Sequence, residues 1–169
     1  MFSCNESNNL EVLRSPEIFT PRVNGIVVTD EYGEIYSLWG DPQYPESPKL
    51  YLGDPYPNPT HLSIGIHYQI EEETLIKLWV SPASWLGEIS QNNVQILNSN
   101  YLVAGGLAVK ELLSRKLKVG KYHYQWDCRD NDGNLVKNGF YRIYLQNNDD
   151  LIWKDILETM TILTIIRVV

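Results

Sequence analysis

The chain has 169 residues, 43% of them apolar and 21% charged, a composition that excludes general disorder. Its 14 Lys and Arg against 21 Asp and Glu leave a formal charge of −7, which excludes broad nucleic-acid binding because phosphate neutralisation needs clustered cations. No apolar run approaches the roughly 18 to 20 residues a bilayer-spanning helix requires.

Residues 1–15 are polar and without period, and read as a flexible tether. Ser3 stands immediately before Cys4, and a polar stretch follows. This resembles the end of a bacterial lipobox, and implies a lipidated Cys4 if a precursor begins upstream; the other reading is a free cysteine. Cys4 and Cys128 are the only two cysteines, too few for a disulfide scaffold. His61, His67 and His123 are scattered and no Cys-x-x-Cys pair exists, so neither a metal nor a cofactor is expected.

Residues 16–55 read as an arm. Gly25–Thr29 and Glu34–Trp39 flank Asp30-Glu31-Tyr32-Gly33, the pattern of a hairpin. Residues 40–60 carry prolines at 42, 45, 48, 55, 57 and 59. Proline has no N–H to give to a ladder, so this stretch is expected to be an extended connector without strands.

From residue 62 the pattern sharpens. Leu62, Ile64, Ile66, Tyr68 and Ile70 alternate with Ser63, Gly65, His67 and Gln69, the period of a half-buried strand. Glu71-Glu72-Glu73 is a turn and Thr74–Val80 the next strand. Residues 81–105 interrupt the rhythm. There Ser81-Pro82 ahead of Trp85, Leu86 and Ile89 has the capping pattern of a short helix. Strands are expected at Leu107–Leu113, Tyr122–Trp126, Tyr141–Leu145 and Leu151–Leu157, with turns at 127–134 and 147–150. Met160–Val169 is β-branched and apolar on both faces, and reads as a covered strand, paired within the chain or with a neighbour. Many short strands at regular spacing mean an all-β, antiparallel β-sandwich; the alternative is a small closed barrel.

Within 56–157 several motifs recur in order: Tyr56-Pro57-Asn58-Pro59, then Tyr122 to Trp126-Asp127, then Asp130-Asn131-Asp132-Gly133, then Asn138-Gly139-Phe140-Tyr141. This region resembles the FlgD-type Ig-like domain of flagellar hook-capping proteins and of many secreted bacterial proteins. The resemblance implies an Ig-like or fibronectin-III-like sandwich over 56–169, outside the cytoplasm, with the long 81–105 segment as an insertion. Cys128 stands where the family has a glycine, which suggests a less strained turn.

No catalytic signature occurs: no Gly-x-Ser-x-Gly, no phosphate loop, no His-Glu-x-x-His. The Asp-rich turn fails as an EF-hand, because placing Gly133 at position six puts Cys128 and Gly139 where carboxylates must stand. Lys110, Arg115, Lys116, Lys118 and Lys121 form a basic run that reads either as a solvated face or as a patch for an acidic partner. The expected function is a non-catalytic assembly subunit that binds protein partners in a larger extracytoplasmic complex, with membrane association only through a lipid anchor. Trp85, Leu86, Ile89, Tyr101 and Leu102 of the insertion are the expected partner-binding residues, since ordered loops and aromatic anchors carry binding. The alternative is a carbohydrate-binding module, suggested by 11 Tyr and 5 Trp.

Overall fold

A computed structural model describes residues 21–85 and 109–159. Ten strands run through them, with no helix among the described residues. In chain order they are β1 (Arg22–Val23), β2 (Gly25–Thr29), β3 (Ile35–Gly40), β4 (Leu50–Leu52), β5 (Ile64–Ile70), β6 (Thr74–Trp85), β7 (Lys110–Leu117), β8 (Gly120–Trp126), β9 (Gly139–Gln146) and β10 (Leu151–Glu158).

The strands form three sheets. One has the order β4-β5-β8; a second runs β6-β9-β10, with β7 and β1 both paired to β6; β2 and β3 form a separate two-stranded ribbon. The first two sheets enclose one apolar cluster. Ile64, Ile66, Tyr68, Ile70 and Trp126 enter it from one side, and Ile76, Leu78, Val80, Ile143, Leu145, Ile152 and Ile156 from the other. The period-two alternation of β5 is what sorts these side chains inward. Trp126 is 1% exposed, and its indole N–H donates to Arg129 O at 2.9 Å, so the large ring is buried without an unpaired donor.

Two turns share one mechanism. In Asp30–Glu34 and Asp130–Asn134 the aspartate carboxylate accepts from the backbone N–H groups two and four residues on, each at 2.8–2.9 Å. The glycines at 33 and 133 take positive φ, 85° and 83°, at little steric cost.

The Tyr-Pro-Asn-Pro segment acts as a staple. Asn58 is 0% exposed. Its amide donates to Val27 O at 2.8 Å and Asp155 O at 3.2 Å, and its side-chain oxygen accepts from Leu157 N–H at 3.0 Å. Its backbone exchanges two more bonds with Thr29. One side chain thus joins the ribbon to β10. A second tie is the buried Arg142–Asp155 pair, bidentate at 2.6 and 2.8 Å, from which Arg142 also donates to Arg22 O of β1.

Three expectations are corrected. The connector does supply a strand: β4 pairs Leu50, Tyr51 and Leu52 with Ile70, Gln69 and Tyr68. Its three residues fit between Pro48 and Pro55, so no donor is missing. The short helix predicted from Ser81 is absent over its described part, because β6 runs on to Trp85, with Ser81, Pro82 and Ala83 opposite Arg142, Tyr141 and Phe140 of β9. The carbonyl of Val80 and the N–H of Ser84 point to the other edge, toward Val109 and Pro21. Pro82 shares their orientation, so its missing N–H faces the gap between β7 and β1 and costs the β9 ladder nothing. Cys128 does not relax its turn. It holds φ at 53°, the left-handed region that disfavours a side chain, because in that conformation the thiol lies fully buried in the core cluster.

Candidate functional site

Of the residues expected to contact a partner, Leu86, Ile89, Tyr101 and Leu102 lie outside the described residues, as does Cys4 and the predicted strand 160–169. Trp85 is described. It closes β6 opposite Val23 of β1 and stacks on Phe140 with ring centroids 5.1 Å apart. A Cβ on Gly40 would come within 3.0 Å of its ring. Trp85 therefore braces β9 and the end of the ribbon from the last residue of β6.

Among the described residues, the ribbon exposes a run of large apolar side chains at Tyr32, Ile35, Tyr36 and Leu38. β2 is buried along almost its whole length, and β10 packs beside it. β3 pairs with β2 along one edge, and among the described residues no strand pairs its other edge. Along β3, Ile35 and Leu38 are each 60% exposed and Tyr36 74%. Leu38 stands opposite Val27 and Ile35 opposite Thr29, on one face of the ribbon, while Tyr36 is the extra residue of a bulge between them. The strand Ile-Tyr-Ser-Leu-Trp-Gly contains no charge and no proline, two of the devices that blunt a sheet edge, and its irregularity is confined to the bulge at Tyr36.

Between the ribbon tip and the outer face of β4-β5-β8 lies an open groove of about 460 Å³. Antiparallel register builds its floor. Tyr51, Gln69 and Lys121 stand in one row across the three strands, and His67 faces His123 in the next. Tyr56 lies over Gly65, where a Cβ would be 3.0 Å from its ring, and under Gly33. The Tyr56 hydroxyl and His67 Nε2 share a 2.5 Å hydrogen bond. The Tyr56, His67 and His123 rings follow at 5.2 and 4.6 Å. Burial, and secondarily His123, hold His67 below the usual imidazole range. Tyr32 at the ribbon tip and Tyr51 on β4 flank the groove, 79% and 61% exposed.

Sequence reasoning treated the three histidines as scattered. His67 and His123 are neighbours only because β5 and β8 pair in a register that sets them opposite. The exposed β3 was visible as a hairpin strand, but its burial was not. Among the described residues no group of three His, Cys, Asp or Glu side chains is placed to hold a metal ion. No helix among them could cross a membrane. No family model, no curated protein and no solved structure matches this chain.

Proposed function

We propose that this chain is a non-catalytic docking or assembly subunit, an Ig-like sandwich that accepts an extended strand of a protein partner along the open edge of β3. The observation that carries this reading is the uncharged edge itself, with Ile35, Tyr36 and Leu38 exposed along it. Strand addition to such an edge supplies backbone hydrogen bonds, and alternate side-chain contacts supply selectivity. Trp85, Leu86, Ile89, Tyr101 and Leu102 are proposed as further partner contacts, on the residue types alone.

The Ig-like reading is supported by chain order: the path leaves the β4-β5-β8 sheet after β5, returns at β8 and leaves again at β9, as Greek-key sandwiches do. It is supported also by Tyr141, at the start of β9, whose hydroxyl donates to Lys137 O at 2.6 Å. A tyrosine bonded to backbone a few residues upstream at that corner is a hallmark of such sandwiches. The FlgD-type resemblance and the Ser3-Cys4 step support a place outside the cytoplasm, with Cys4 as a lipid anchor; mass spectrometry of the native N-terminus tests the anchor.

The docking reading is tested in the full chain by replacing Tyr36 with a photoreactive aromatic residue. We expect crosslinks to a second polypeptide, and we expect Leu38→Lys to abolish them without lowering the melting temperature. Crosslinks confined to the chain itself, or capture that survives Leu38→Lys, refute it.

A further inference from the structure

We propose that the groove between the ribbon tip and the outer face of β4-β5-β8 is a binding site for an acidic oligosaccharide, one whose pyranose rings carry carboxylates. The proposal goes beyond the docking reading and stands on different residues.

The ligand class follows from what the groove offers. Two exposed phenol rings, Tyr32 and Tyr51, stand at its sides, and its floor presents His67, Gln69 and Lys121. An apolar ligand would cover the rings but strip water from the imidazole, amide and ammonium without replacing their hydrogen bonds, at a cost. A polyphosphate would need several cations, and Lys121 is the one Lys or Arg among the lining residues. A pyranose satisfies both halves. Its C–H faces are apolar and lie against aromatic rings, while its hydroxyls project sideways as donors and acceptors toward Gln69 and His67. A volume near 460 Å³ lies within the range of small-ligand sites.

Lys121 selects the acidic member of the class. Asp54, at the rim of the groove, is neutralised by Lys154 at 2.7 Å; Glu71 accepts from the Gln69 amide N–H, which leaves the Gln69 side-chain oxygen as the acceptor for a sugar hydroxyl. Among the described residues no carboxylate lies within ion-pair distance of Lys121. A uronate carboxylate at that end of the groove would supply its counter-charge. This also gives a role to the basic run in an acidic chain: Lys116 is paired with Glu73 and Lys110 donates to Asp130 O, while Lys121 faces the groove.

The floor is prearranged. Tyr56 is clamped between Gly33 and Gly65, its hydroxyl is tied to His67, and the His67 ring packs at a tilt against His123, centroids 4.6 Å apart. Side chains fixed before the ligand arrives lose little entropy on binding.

The test titrates the full-length protein by calorimetry with an oligogalacturonate and, separately, with a neutral cello-oligosaccharide of equal length, up to millimolar concentration. We expect saturable binding of the galacturonate, weakened about tenfold or more by Tyr51→Ala and by Lys121→Gln, both exposed positions whose replacement leaves the thermal melt unchanged. Leu38→Lys, which removes the β3 edge, leaves the affinity unchanged. No saturable binding of the galacturonate, tighter binding of the neutral sugar, or binding indifferent to both groove substitutions overturns the proposal. Failure of strand docking at β3 leaves all these readouts intact, so the two ideas fall separately.

Discussion

Replacing Asn58 tests whether the Tyr-Pro-Asn-Pro segment staples the ribbon to the sandwich. The side chain makes three hydrogen bonds, two of them buried and the third part-buried, at 2.8, 3.2 and 3.0 Å, to Val27, Asp155 and Leu157. Asn58→Ala strands two carbonyls and one N–H in a site closed to water. At about 1 kcal/mol or more for each group left unpaired, the predicted loss is about 3 to 6 kcal/mol. That is a large part of the roughly 5 to 15 kcal/mol that holds a domain folded. Asn58→Asp keeps the volume and the acceptor for Leu157 N–H, yet sets a carboxylate oxygen against two carbonyls. The introduced carboxyl would therefore hold its proton more tightly in the folded than in the unfolded chain. Its penalty is full at neutral pH and shrinks on acidification, when the protonated group can donate to one carbonyl. Urea melts at pH 7 and pH 4 measure both effects, and amide exchange across residues 25–40 reports whether the ribbon lifts before the sandwich unfolds. A loss below about 1 kcal/mol for Asn58→Ala, or ribbon amides as protected as in the parent, refutes the reasoning.

Other outcomes follow from buried groups. Asp155→Ala leaves Arg142 charged and without its bidentate partner, and should cost about 3 to 5 kcal/mol in chemical melts, whereas replacing both residues by apolar ones of similar size should recover most of it. Trp126→Ala opens the centre of the core and should cost about 3 to 5 kcal/mol by the same measurement. Burial raises the pKa of Glu158, which is 1% exposed and whose Oε2 has no hydrogen-bond partner among the described residues. The unfolded carboxyl ionises first, so stability falls as pH rises through the ordinary carboxylate range. Glu158→Gln should therefore raise the melting temperature at pH 7 relative to the parent, with the gain gone near pH 4; equal gains at both pH values would contradict this. Burial pushes the Cys128 thiol up to about 11, so it should resist alkylation at pH 8 in the native protein and react promptly in denaturant.

What the amino-acid sequence determined by itself is what depends on neighbours along the chain. Period-two alternation marks β5 and β9, and the Asp-x-x-Gly turns at 30–33 and 130–133 close on their own backbone. These local rules settle the all-β class and the placement of most strands. What only the tertiary structure decided is which distant residues meet. Asn58 finds its partners 31, 97 and 99 residues away. His67 meets His123 through strand register alone. Pro82 is tolerated in β6 because its edge there faces a gap, and Cys128 takes a left-handed backbone because the core gains its thiol. Each of these is a balance between a local preference and a long-range contact. The contact wins where burial satisfies more bonds, or covers more apolar surface, than the local preference costs.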